Sequence, residues 1–159
     1  MLEVGKAATC IDIAEKSVGA LCRRVATVEQ QASERTTAKP RVVLLEWFDP
    51  PFSAGHWSPA LVRMAGGIEM IGREGERSKS IDWQEVVDAD PQVLVVACCG
   101  FDIERTRQDL PILRSFPKYE SLPCVQNERV HLVDGNSYFS RPGPRLVDSL
   151  ELLVSILRF

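Results

Sequence analysis

Two runs of β-branched and aliphatic residues constrain the fold more than any other feature of the chain: residues 41–45 (RVVLL) and 93–97 (VLVVA). A strand that is apolar on both faces has to be covered on both faces, which is the condition of a parallel sheet lying between helices. Helical patterns do alternate with these runs. Ser58 caps a short helix that ends at Gly66-Gly67, and residues 68–71 form a strand. A polar loop, residues 72–80, follows. Asp82 caps the segment WQEVVDA, residues 102–113 form another helix, residues 129–133 a further strand, and residues 144–157 the last helix. The alternation predicts an α/β fold, a three-layer α/β/α lobe with a mainly parallel sheet.

One long helix precedes the lobe. Val4, Ala7, Ile11, Ala14, Val18, Leu21, Val25 and Val28 recur at steps of three and four. This predicts an amphipathic helix whose stripe needs a partner surface. The polar run from Gln30 to Lys39, closed by Pro40, reads as its frayed end and a linker. The expected division is therefore residues 1–39 for helix and linker, and residues 40–159 for the lobe. The exposed stripe of residues 4–28 invites self-association.

In open α/β sheets, ligands sit outside the carboxyl ends of the strands. Three loops are expected to leave on that side, residues 47–57, 98–102 and 134–145. The first contains Trp47, Phe48, Phe52, His56 and Trp57 around the Pro50-Pro51 pair. Proline stiffens the backbone before a partner arrives, so rings presented there lose little entropy on binding. The second loop carries Cys98, Cys99, Gly100 and Phe101. The third carries Tyr138, Phe139, Arg141 and Arg145. Arg141, fixed by the next proline, suits a carboxylate, amide or phosphate, whereas Arg145 is expected to pair with Asp134 or Asp148.

Composition narrows the function classes. A net charge of -3 on 159 residues, with Lys and Arg scattered, does not make a nucleic-acid surface. No apolar run is long enough to span a bilayer, and residues 1–10 lack the pattern of an export signal. With Met1 as the start, the chain is expected in the cytoplasm. The five cysteines have no Cys-x-x-Cys spacing and read as reduced thiols. Neither a Walker loop nor Gly-x-Gly-x-x-Gly occurs, and neither His56 nor His131 has a metal-ligand spacing. Glu46, Asp49 and His56 are the carriers an enzyme would have to use, but no nucleophilic set is completed around them.

EWFDPPFSAGHW, the AGG after the first short helix, SIDWQEVVDADPQVLVVACCGF and NSYFSRPGPR together resemble the cobalamin-binding substrate-binding proteins of ABC importers. These are periplasmic clamshells in which two α/β lobes are joined by a long helix. The resemblance covers most of the chain and implies the connector helix and the second lobe. It implies a binding protein, not an enzyme, with no catalytic cofactor and no resident metal. Its ligand is cobalamin or a related corrinoid, with haem or a siderophore as the alternative. Another alternative is a protein-interaction module that keeps the fold.

The resemblance also assigns residues. Phe52 falls on the ligand-facing ring of the Pro-Pro-Phe turn, and Ser78 falls near a further contact. Tyr138, Phe139 and Arg141 fall on the last ligand loop. Trp47, His56, Trp57, Gly100 and Phe101 complete the expected ligand face. An exposed glutamate that pairs with permease arginines falls on Gln84, with Glu85 adjacent. The implied partners are an ABC permease and a separate first lobe, and the implied compartment is the periplasm.

Overall fold

A computed structural model describes residues 1–34 and 38–158. Residues 35–37, in the middle of the expected linker, and residue 159 lie outside the described residues. The elements in chain order are α1 (Leu2–Ala7), α2 (Ile11–Ser33), β1 (Arg41–Phe48), β2 (Pro51–Ser53), α3 (Ser58–Met64), β3 (Ile68–Glu69) and α4 (Trp83–Asp88). Then come β4 (Val93–Val96), α5 (Ile103–Ser115), a 3₁₀ turn (Tyr119–Ser121), α6 (Pro123–Gln126), β5 (Val130–Leu132), α7 (Gly135–Tyr138) and α8 (Leu146–Ile156).

The two apolar runs are the centre of the sheet. β1 and β4 pair in parallel, Val42 with Val93 through Leu45 with Val96, and β5 continues the parallel ladder on the far side of β4. The β1 residues Val42 to Leu45 and all four residues of β4 are fully buried. Alternate side chains serve two cores. Val42, Leu44, Val93 and Val95 pack with Val28 of α2, Leu61 and Val62 of α3, and Leu150 and Leu153 of α8. Val43, Leu45, Leu94 and Val96 pack with Val86 of α4, Leu113 of α5, and Tyr119, Leu122 and Cys124. The three-layer expectation therefore holds, and the layers on either side are these two groups of helices.

The other edge of β1 is shared by two strands. β3 pairs with its start in parallel, Arg41 with Ile68 and Val42 with Glu69. β2 pairs antiparallel with its end, Trp47 with Phe52 and Phe48 with Pro51. The double proline thus does not end the pairing as its chemistry suggests. It sits at the tight reversal, where a missing N–H is harmless, and the Asp49–Pro50 peptide is cis.

The amphipathic stripe is not one helix. Ala8 to Cys10 turn the chain between α1 and α2, with Thr9 N–H donating to Lys6 O at 3.1 Å and Cys10 N–H to Gly5 O at 2.8 Å. This is the Schellman pattern, with Thr9 in the left-handed region at φ 54°. Gly5 makes the fold-back possible, because a Cβ there would lie 2.4 Å from the Ala14 Cβ. The stripe therefore divides its work. Val28 is buried and Val25 packs against the lobe core, whereas Val4 is 70% exposed.

Smaller differences follow from local chemistry. Ser58 is the first residue of α3 and Trp57 is its cap. Asp82 caps α4 as expected, in a capping box with Glu85, whereas Asp102, expected as the first residue of its helix, is the cap of α5. The loop after β5 contains α7, because Asp134 accepts the Ser137 N–H at 2.7 Å and starts a helical turn.

Candidate functional site

The carboxyl ends of β1 and β4 lie side by side, and their exits carry the candidate site. Trp47 and Phe52 are direct cross-strand partners, so their side chains share one side of the hairpin. The Trp47 ring lies 4.6 Å from that of Phe101 at a 56° tilt, and its Nε1–H donates to Asp49 O at 3.0 Å. The Arg105 guanidinium sits 4.4 Å above the Phe101 ring and pairs with Asp109 at 2.6 Å. Phe52, Trp47 and Phe101 are half-buried, an aromatic ledge with a cation at one end.

The third loop is tied to the second. Gly100 N–H donates to Ser140 Oγ at 3.0 Å, Ser140 Oγ–H donates to Gly135 O at 2.8 Å, and Asn136 N–H donates to Phe101 O at 3.0 Å. Gly135 packs so closely that a Cβ would lie 2.1 Å from Cys98 O. Arg141 and Arg145 are exposed beyond this tie. Among the described residues, Arg145 forms an ion pair with neither Asp134 nor Asp148. Asp134 is engaged by Ser137, and Asp148 by Arg24 at 2.5 Å.

Glu46 is the residue that sequence reasoning undervalued. The register of β1 against β2 shifts between Leu45 and Trp47, which leaves Glu46 in a bulge, a device that re-aims a side chain. Its Oε1 accepts the Gly55 N–H at 3.1 Å and its Oε2 the Ser78 hydroxyl at 2.5 Å. Its backbone O accepts Cys99 N–H at 3.0 Å, and the Cys99 Sγ lies 4.0 Å from Oε2. Burial, and then the Glu46 carboxylate, push the Cys99 thiol above the ordinary range. Cys98, wholly inside, is pushed up to about 12 by burial. The available signal was the glutamate immediately after an otherwise apolar strand.

The expected ligand face is therefore only partly assembled on one surface. Trp47, Phe52, Phe101 and Gly100 come together, and Ser78 is held beside them with its hydroxyl committed to Glu46. His56 is exposed, with φ 56° and its N–H on Glu76 O at 2.6 Å. Trp57 is turned against the core that α2, α3 and α8 share, and Tyr138 also packs against it. Phe139 is not on the face at all. It is 3% exposed and lies within that core, because the turn of α7 rotates it inward. His131 is half-buried in β5, its imidazole pKa lowered by burial and by Arg129. Gln84 and Glu85 are exposed on α4, where Gln84 donates to Asp88 at 2.7 Å and Glu85 accepts Asp82 N–H at 3.0 Å. Among the described residues, no group of three or more His, Cys, Asp or Glu is placed to hold a metal, and no helix is long and apolar enough to cross a membrane.

The sequence profile of a family described as "Periplasmic binding protein" matches residues 1–136. No curated protein matches the sequence. Several solved structures share the fold. An ABC transporter substrate-binding protein from Listeria monocytogenes EGD-e is 18% identical with a TM-score of 0.82, over 98% of this chain and 60% of that one. The periplasmic heme-binding protein RhuT from Roseiflexus sp. RS-1 is 22% identical with a TM-score of 0.77, over 98% and 60%. The periplasmic vitamin B12 binding protein BtuF of Vibrio cholerae is 18% identical with a TM-score of 0.73, over 92% and 54%. The chain spans little more than half the length of such structures.

Proposed function

Because the chain belongs to the periplasmic binding protein family, we propose that it binds cobalamin or a related corrinoid for ABC-type import. In this reading residues 1–39 are the inter-lobe helix and linker, and residues 40–159 are one ligand-binding lobe. A first lobe and an ABC permease are its partners, and the periplasm is its compartment. Its work is binding, and the corrinoid is its cargo.

The observation that carries the reading is the aromatic ledge of Phe52, Trp47 and Phe101 at the adjacent exits of β1 and β4. Flat rings on a hairpin and a short loop offer a broad apolar surface at little entropic cost, which suits the face of a macrocycle. Gly100, Ser78, His56 and Arg141 supply polar groups around it. Trp57, Tyr138 and Phe139 pack with the core that α2, α3 and α8 share, on the other side of the sheet from the core that Trp47 and Phe101 pack against. On α4, Gln84 and Glu85 are exposed where the resemblance puts permease docking, with Glu85 the residue that carries charge.

Haem or an iron–siderophore is the rival ligand, since the Roseiflexus relative is a heme-binding protein and shares the fold equally well. Titration of the purified protein with cyanocobalamin, hemin and a ferric hydroxamate, followed by tryptophan quenching and calorimetry, separates these. Saturable cyanocobalamin binding that weakens in Phe52→Ala is the expected result. A stronger response to hemin or to the hydroxamate replaces the ligand, and no response to any of the three overturns the reading for this chain.

A further inference from the structure

We infer that Glu46 is the positioning residue of the ligand face, holding the Phe52-bearing hairpin and the 72–80 loop in one arrangement over the exit of β4. The inference rests on the ligand-binding reading above, and it concerns a side chain that no part of that reading uses.

Three independent geometric facts meet at this residue. The first is the bulge, which takes Glu46 out of the regular alternation of β1 just where the strand passes from its parallel to its antiparallel neighbour. The second is the pair of bonds from one carboxylate to two different loops, Gly55 N–H at 3.1 Å and Ser78 Oγ–H at 2.5 Å. Bonds to a charged acceptor are stronger than neutral ones, and a carboxylate has room for both at once. The third is the fit of the two loops. A Cβ on Gly55 would lie 2.2 Å from Ser78 N and 2.7 Å from Arg77 C, so the backbones touch where Glu46 joins them.

Neighbouring backbone bonds extend the seam on both sides. Ser53 N–H donates to Lys79 O, His56 N–H to Glu76 O, and Ile81 N–H to Pro51 O. Glu46 is also tied to the β4 exit, but by its backbone, whose carbonyl accepts Cys99 N–H at 3.0 Å, so that bond stays in place when the side chain is replaced. Loosening the carboxylate's bonds would let Phe52 move relative to Trp47 and Phe101 while the sheet stays intact. Removing Glu46 is therefore expected to act on ligand affinity more than on folding.

The test compares Glu46→Ala with Glu46→Gln. Glutamine keeps the geometry, because its carbonyl accepts Gly55 N–H and its amide donates to the Ser78 hydroxyl. In the unliganded protein, amide exchange of Gly55 measured by NMR should quicken about tenfold or more in Glu46→Ala and stay within about threefold in Glu46→Gln. Cyanocobalamin affinity should fall about tenfold in the alanine variant and be largely rescued in the glutamine variant. Ser78→Ala, which leaves the Gly55 bond in place, should fall between them and serves if the alanine variant folds poorly. Unchanged Gly55 exchange in Glu46→Ala, or a glutamine variant as impaired as alanine, overturns the inference. Failure of the unsubstituted protein to bind any of the three ligands instead sinks the ligand reading, and Gly55 exchange then still decides whether Glu46 holds the loops.

Discussion

Glu69 accepts the backbone N–H of Leu44 at 3.1 Å through Oε2, while its Oε1 accepts Ile71 N–H at 3.2 Å and Gly72 N–H at 3.0 Å. The carboxylate stands where β3 has stopped and β2 has not begun, so it completes the edge of β1 between two strands. Burial pushes its pKa up to about 7 against the opposing pull of the three backbone donors. The fold therefore binds this proton more tightly than the unfolded chain does. The associated stability is fully present below the unfolded pKa near 4.5 and is lost as pH rises to about 7. The expected loss across that window is about 3 kcal/mol. Urea unfolding at pH 4.5 and at pH 8 checks this, and Glu69→Gln should flatten the difference. An equal pH dependence in the variant removes Glu69 as its source.

The Cys99 thiol is held protonated by burial and then by the Glu46 carboxylate. Taking away that negative charge lowers the thiol pKa, so Glu46→Gln should alkylate faster at Cys99 at pH 8. Peptide-resolved mass spectrometry distinguishes Cys99 from Cys22, which is exposed as well. A rate at Cys99 that does not change between the two proteins contradicts the electrostatic link.

Gly135→Ala should cost roughly 2 kcal/mol or more, because the added carbon meets Cys98 O at 2.1 Å and Ala97 C at 2.7 Å, both backbone atoms that cannot step aside. Thermal unfolding measures the loss. A variant as stable as the parent would mean that α7 can shift away from β4 without penalty.

The long helix α2 is fastened in two ways of different kind. Val28 is 4% exposed in the core, whereas Arg24 bridges Asp148 and Glu151 at the surface of α8, at 2.5 and 2.6 Å. Burial outweighs exposed ion pairing. Val28→Ala should therefore destabilise by about 2 kcal/mol, independent of salt. Arg24→Ala should cost clearly less than Val28→Ala and matter least at high salt. Chemical unfolding at low and high ionic strength gives both values, and a larger loss from Arg24→Ala reverses the ranking.

Much of the layer plan was legible before any tertiary contact was known. Residues 42–45 and 93–97 are apolar at every position, so a doubly covered strand suits them, and both runs are fully buried. Asp82 announces α4 because capping is local, a side chain bonding an N–H two residues on, and Asp102, expected inside its helix, caps α5 in the same local way. The aromatic loops at the ends of β1 and β4 were legible for the same reason, since strand ends and proline turns are read from neighbours in the chain. The break between α1 and α2 was not, because the apolar period runs through it. It depends on Gly5 meeting Ala14 and on Thr9 taking a left-handed backbone.

The sequence by itself determined the alternation of strand and helix, the covered centre of the sheet, and the presence of rings and turn formers at the strand exits. Those properties follow from period and local propensity. Tertiary structure alone decided which of the rings face outward. Phe139 goes inward and Trp47 joins Phe101 because of the short helix α7 and the hairpin register. It also decided the roles of two carboxylates. Glu46 and Glu69 read in sequence as a polar residue ending one strand and a polar residue within another. Each becomes a junction only when chain segments from 9 to 32 residues away, for Glu46, or 25 residues away, for Glu69, present hydrogens to it. Such bonds depend on how loops meet in space, and no periodicity in the chain records that.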